Sequence, residues 1–353
     1  MKRRDFIQYG GAVLAATAFG PGHALAKWIE TTEQGLMPRG MAVIDAHAHP
    51  RVPTTCTFTS DGASALENIA GLRMNASCFS VVTDSTNPSL PVFPYPNVLK
   101  SLECLVELEA SGDVRIIRRH SDLPRDVHSP GYVPGALLAL EGAVFIEDDP
   151  GKLDELYGLG VRLVTVMHYQ PEHTGDIMTA PPENLGLTDK GQAIVEKMCS
   201  LGIIIDCAHA HVNTLGPITE IALAHGLPVI DSHTGLTRAQ APQMGRRRTF
   251  SEMEMVVRTG GVVCVWPVSY GTKTEFKNWA GEIRLIADEF GIEHVGLGTD
   301  GGGIGNAAPL IDGYGSVLDL PKLVAAMYDA GFKRSEIDAF FGGNMLRVMK
   351  AYL

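Results

Sequence analysis

From Met41 onward nine short runs rich in Val, Ile and Leu recur, and six of them close on a histidine, a glutamate or an aspartate. The runs cover residues 42–47, 78–83, 114–118, 137–141, 161–168, 203–209, 228–233, 262–266 and 294–300. Helical spacing falls between many of them. Residues 188–201 carry Ile194, Val195, Met198 and Leu201 at helical intervals and close at Gly202, and 276–290 close at Gly291. Residues 322–353 read as two helices broken at Gly331 and at Gly342-Gly343. Strands alternating with helices specify a parallel sheet covered by helices. In a closed barrel of that kind the C-terminal strand ends form one rim, where active sites are built. His47, Glu141, His168, His209, His233 and Asp300, each at such an end, are therefore predicted to meet. Core packing does not account for six polar groups placed this way.

The predicted fold is one α/β domain, a (β/α)8 TIM-type barrel over 27–353. A chain of 353 residues fits this, because such barrels exceed 250 residues as single units. An open doubly wound sheet would carry a glycine-rich phosphate turn after its first strand. Here that place holds His47-Ala48-His49-Pro50, and Gly301-Gly302-Gly303 lacks the dinucleotide spacing. The net charge of −11 excludes nucleic acid as a partner, since binding phosphates requires a basic surface. The longest basic block in the barrel region is Arg246-Arg247-Arg248.

Residues 1–26 read as a signal peptide. Arg3-Arg4 with Phe6 resembles a twin-arginine signal, an apolar run spans 12–19, and Ala24-Leu25-Ala26 offers a cleavage site. The expected destination is the periplasm or outside the cell, with the twin-arginine machinery as a transient partner. The apolar run is too short to span a bilayer, so no stable membrane anchor is expected. A homodimer is compatible with the sequence. Of six cysteines, Cys199, Cys207 and Cys264 sit in helix or strand patterns as small core residues, and Cys56, Cys78 and Cys104 could offer one disulfide.

His47 and His49 are two apart, so an extended strand puts both imidazoles on one face, able to grip one divalent ion. Glu141 can bridge two ions with its two oxygens, and His209 and His233 supply neutral nitrogens for the second. Ions about 3.5–4 Å apart would activate a shared water at neutral pH.

The chain resembles the membrane dipeptidase (renal dipeptidase) family of zinc metallopeptidases. The carrying stretches are 44–50 (Ile-Asp-Ala-His-Ala-His-Pro), 140–142 (Leu-Glu-Gly), 160–168, 186–191, 205–209 (Ile-Asp-Cys-Ala-His), 228–233, 294–300 and 342–348, in family order. The resemblance implies a dipeptidase that hydrolyses short peptides with a free carboxylate through a metal-bridging hydroxide. It implies two divalent ions, zinc being the first expectation, held by His47, the residue two after it, Glu141, His209 and His233. It further implies that His168 contacts the scissile carbonyl oxygen and that Asp300 shuttles a proton to the leaving amine. An arginine just beyond the last metal histidine binds the substrate carboxylate. Arg248 fits that place best, because Arg248-Thr249-Phe250-Ser251-Glu252 echoes the family's run, with Arg247 as the alternative register.

Two departures stand out. His49 occupies the family's aspartate position, exchanging an anionic oxygen for a neutral nitrogen. Gly301-Gly302-Gly303 stands where the family has Phe-Asp-Gly. The first keeps open an amidohydrolase acting on a non-peptide amide, lactone or cyclic imide. A non-catalytic metal-containing binding protein is the third reading, and retention of His168 and Asp300 counts against it. Among other polar residues, Asp45 and Asp231 are placed to orient His47 and His233, and His211 reads as a residue supporting the ligands from behind or as a loop residue.

Overall fold

The computed structural model describes residues 37–49, 65–84, 93–146, 149–170, 174–183, 186–237, 245–269, 273–302 and 309–353. The signal-peptide expectation at 1–26 lies outside these residues, as does Cys56. No helix among the described residues is long and apolar enough to cross a membrane.

The core strands are β1 (Ile44–Ala48), β2 (Ala76–Val82), β4 (Gly135–Glu141), β5 (Val161–Thr165), β6 (Ile204–Asp206), β7 (Ile230–Leu236), β9 (Val262–Val265) and β10 (Val295–Leu297), hydrogen-bonded in that order. Two short strands lie off this path: β3 (Arg115–Ile116) pairs with β4, and β8 (Arg247–Arg248) with β7. All the pairings are parallel. The two ends of the sheet meet: Asp300 N donates to His47 O at 2.9 Å and His49 N to Gly301 O at 2.8 Å. The sheet is thus a nearly closed barrel. Val, Ile and Leu fill its strands because each is buried on both faces, with helices outside and the barrel core inside.

The outer helices follow the expected signals. The helix α1 (Asp189–Leu201) starts at the Thr188 cap, whose hydroxyl accepts from Gly191 N, and ends at Gly202 in the left-handed region (φ 75°). The helix α2 (Phe250–Arg258) has a reciprocal capping box between Thr249 and Glu252. The C-terminal segment corrects the sequence reading. Gly342-Gly343 does not break the chain; Ala339–Gly343 forms a π-helical turn that runs straight into α3 (Asn344–Tyr352). Close packing explains the glycine, since a Cβ on Gly342 would lie 2.5 Å from Ala42 O. Cys78, Cys199, Cys207 and Cys264 are free buried thiols, and Cys104 is disulfide-bonded.

Candidate metal centre

The rim side chains do not all sit on regular strand. Glu141 ends its strand, His47 is the last residue but one of β1 and His233 lies inside β7, but His168, His209 and Asp300 each stand three residues past a strand end. His209 (φ 66°) and Asp300 (φ 52°) adopt the left-handed region, which ordinary side chains avoid. Strain of this kind is retained where it aims a functional group. Gly142, directly after Glu141, has φ 94°, and a Cβ there would lie 2.6 Å from Thr83 Oγ1. Only glycine lets the chain turn so tightly behind the glutamate.

Glu141 is the hub. Its Oε1 lies 3.1 Å from His209 Nε2, 3.4 Å from His47 Nε2 and 3.5 Å from His233 Nε2. Its Oε2 lies 3.4 Å from both His49 Nε2 and His168 Nε2. His49 Nε2 is also 3.1 Å from Asp300 Oδ1. Ring nitrogens face one another directly: His47 and His49 at 3.1 Å, His209 and His233 at 3.2 Å. Paired imidazole lone pairs at such distances repel unless a proton or a cation lies between them. The groups His47/His49/Asp300 and Glu141/His209/His233 each gather their donor atoms within 4.8 Å.

Electrostatics favours the ligand forms of His209, His233 and Glu141. Burial, with help from Arg246, holds His209 well below the usual histidine range; burial, His47 and Arg246 do the same for His233. Both are therefore neutral, as metal ligation requires. Burial pushes Glu141 up, but His168, His47 and His209 together hold it well below the ordinary carboxylate range. His49 is raised to about 9: burial opposes its charge, but Asp300 and Glu141 overcome it. A centre that draws a proton onto His49 this strongly is one where a divalent cation would compete for the same place. Histidine nitrogens around both oxygens of one buried carboxylate, His47, His209 and His233 at Oε1 and His49 at Oε2, make a donor set suited to divalent cations.

A second layer, to which the sequence reading gave no role, fixes these rings. Ser232 Oγ is 2.8 Å from His233 Nδ1 and 3.3 Å from His47 Nδ1, and donates to Asp206 Oδ2 at 2.6 Å. Ser80 contributes twice, through Oγ to His47 Nδ1 (3.3 Å) and through its carbonyl to His49 Nδ1 (3.1 Å). Asp84 pairs with His168 Nδ1. The sequence carries a signal for it, since Asp84 lies one residue past the strand run 78–83, which itself ends on no charged group. Asp45 does not orient the His47 ring; it accepts from Thr299 N (2.8 Å) and Thr299 Oγ1 (2.5 Å), joining β1 to the chain after β10. His211 only caps a helix, accepting from Asn213 N at 3.2 Å.

Arg248 requires the largest correction. Its guanidinium is fully buried in the barrel wall, donating to Asp231 Oδ2 (2.7 Å), Ala210 O (2.6 Å) and Cys207 O (2.8 Å). So bound, it is not available to a substrate, and Asp231 serves Arg248 instead of orienting His233. Arg247 donates to Ser269 O at 3.1 Å. The arginine of the triplet that faces the metal ligands is Arg246. It donates to His233 O at 3.3 Å and lies 5.2 Å from the Trp266 ring centroid, which in turn is 5.4 Å from that of His233.

A family model described as membrane dipeptidase, peptidase family M19, matches residues 40–352. The chain belongs to this membrane dipeptidase family. A dipeptidase of Clonostachys rogersoniana, VerJ, is 30% identical over 218 residues, covering 61% of this chain and 54% of that protein. The chain thus spans about half the length of the curated relatives it matches. A metallo peptidase of Rhodobacter sphaeroides, solved with a phosphinate mimic of L-Ala-D-Ala, superposes with a TM-score of 0.71 at 20% identity, covering 89% of this chain and 99% of that one. An amidohydrolase of Pseudomonas aeruginosa gives 0.72 at 18% identity, covering 92% and 99%. At these identities the solved structures speak to the barrel fold, and the membrane dipeptidase assignment rests on the family match.

Proposed function

We propose that the protein is an exported dipeptidase that hydrolyses the peptide bond of short peptides bearing a free carboxylate, using two divalent ions, zinc first among them. The observation that carries this reading is Glu141 between two sets of histidine nitrogens, with Asp300 and His168 on the same rim. When bound, the ions supply an acidified water and Lewis-acid polarisation of the carbonyl. The chain supplies the rest. His168 Nε2 is directed at the centre and serves as hydrogen-bond donor to the carbonyl oxygen. Asp300, whose side chain is 14% exposed against 8% or less for the ligand residues, stands at the open edge. It is placed to take a proton and return it to the departing amine. Arg246, above Trp266, anchors the substrate carboxylate. Export draws support from Arg3-Arg4, Ala24-Leu25-Ala26 and the disulfide at Cys104, which suits an oxidising compartment.

The test is metal analysis followed by kinetics on a dipeptide panel that includes D-residues and carboxyl-amidated partners. Hydrolysis of free dipeptides with poor turnover of the amidated ones is expected. Equal turnover of both would sink the carboxylate anchor. His49 favours a second reading, a barrel acting on a non-peptide amide, lactone or cyclic imide. Activity on such compounds with none on dipeptides would establish it.

A further inference from the structure

The Asp84 carboxylate is 1% exposed and is ringed by donors: His168 Nδ1 on Oδ1, and the backbone N–H groups of Tyr169 (3.1 Å) and Gln170 (2.9 Å) on Oδ2. It comes from the end of β2 and reaches across β4 to the segment after β5. Gly142 leaves room for His168 beside this carboxylate, because a Cβ there would lie 3.3 Å from His168 Cβ. The opposite ring nitrogen, His168 Nε2, points to Glu141 Oε2 at 3.4 Å. Asp84 thus faces the ring's rear nitrogen and the metal centre faces its front.

We propose that Asp84 is a positioning residue for His168. It receives the Nδ1 hydrogen, fixes the ring plane together with the two backbone bonds of the same segment, and leaves Nε2 as the atom presented to the substrate carbonyl. A buried carboxylate behind a histidine ring sets its tautomer and polarises it toward donation from the far nitrogen. This rests on the role proposed above for His168. Asp84 meets His168 and the backbone of Tyr169 and Gln170, the segment that carries the ring, so its influence on the reaction passes through the placing of His168.

The substitution Asp84→Asn separates this from a structural role. Tyr169 N and Gln170 N are donors, so the amide oxygen must face them and the amide NH2 must face Nδ1. The ring then loses its anionic partner and its Nδ1 hydrogen. Loss of a supporting carboxylate of this kind costs about 10–100-fold in activity. The expected result is that fall in kcat, with KM within about 3-fold, metal content unchanged, and affinity for a phosphinate dipeptide mimic reduced by the same factor as kcat/KM. In a His168→Ala background Asp84→Asn should add less than about 3-fold, because the two residues act as one unit. Ring ¹⁵N–¹H spectra, with His168 assigned by its disappearance in His168→Ala, should show Nδ1 losing its proton in Asp84→Asn. This readout needs no turnover, so it tests Asp84 even where the wild type proves inactive on dipeptides and the dipeptidase reading fails. Should the Asn variant not fold, Asp84→Glu displaces the charge by one methylene and should lower kcat with KM held. Wild-type kcat in these variants, losses that add fully to those of His168→Ala, or an unchanged Nδ1 signal would overturn the proposal.

Discussion

Replacing Arg248 with alanine should cost stability, and replacing Arg246 should cost substrate binding; the sequence reading pointed the other way. Asp231 is 1% exposed, its Oδ2 is held by Arg248 Nε, and its Oδ1 has no hydrogen-bond partner among the described residues. Arg248→Ala therefore strands a buried carboxylate and removes the guanidinium donors to the Ala210 and Cys207 carbonyls, of which Cys207 O keeps the N–H of Ala210 at 3.2 Å. Breaking a buried pair on one side costs about 3–5 kcal/mol. At roughly 2 °C per kcal/mol for a domain of this size, Tm should fall by about 6–10 °C. Arg248→Met with Asp231→Leu removes both charges and should recover much of that loss, since a buried pair gains little over apolar packing. Arg246→Ala leaves no buried acid behind and should shift Tm by less than about 2 °C. It should instead raise KM for free-carboxylate dipeptides, with little effect on amidated ones. Thermal melts of the metal-loaded proteins and kinetics well below Tm measure both effects. An Arg248→Ala protein with unchanged Tm and a selectively raised KM would refute the reasoning and restore Arg248 as the carboxylate anchor.

Three further outcomes are expected. His49→Asp should retain a metal site while changing its stoichiometry or preference, and His49→Ala should lower metal content and rate together; full occupancy and activity in His49→Ala would show that His49 is not a ligand. Asp300→Asn should lower kcat for every substrate by about 10²–10⁴-fold with metal content intact, and a near-normal kcat would exclude it as the proton carrier. Replacing Arg3 and Arg4 with lysine should block export, so unchanged periplasmic yield, read by fractionation, would remove the twin-arginine route.

The sequence by itself determined the barrel and named most of the groups that meet at the candidate metal centre. Strand periodicity is local, and a parallel barrel places every strand's C-terminal end on one rim, so His47, Glu141, His209 and His233 could be brought together on paper from their positions alone. His49 followed from the two-residue repeat of extended chain. Tertiary structure decided what lies one layer further out. Three consecutive arginines carry the same charge and chemistry, but only packing shows that Arg248 turns into the wall onto Asp231 while Arg246 turns toward Trp266 and His233. Ser80, Asp84, Asp206 and Ser232 gain their roles from partners up to 185 residues away in the chain. The left-handed turns at His209 and Asp300 likewise depend on surroundings that over-determine them. A side chain's type and its place on a strand are fixed by short-range geometry. Which neighbour its polar atoms meet is fixed by long-range closure of the barrel, and no local pattern encodes that distance.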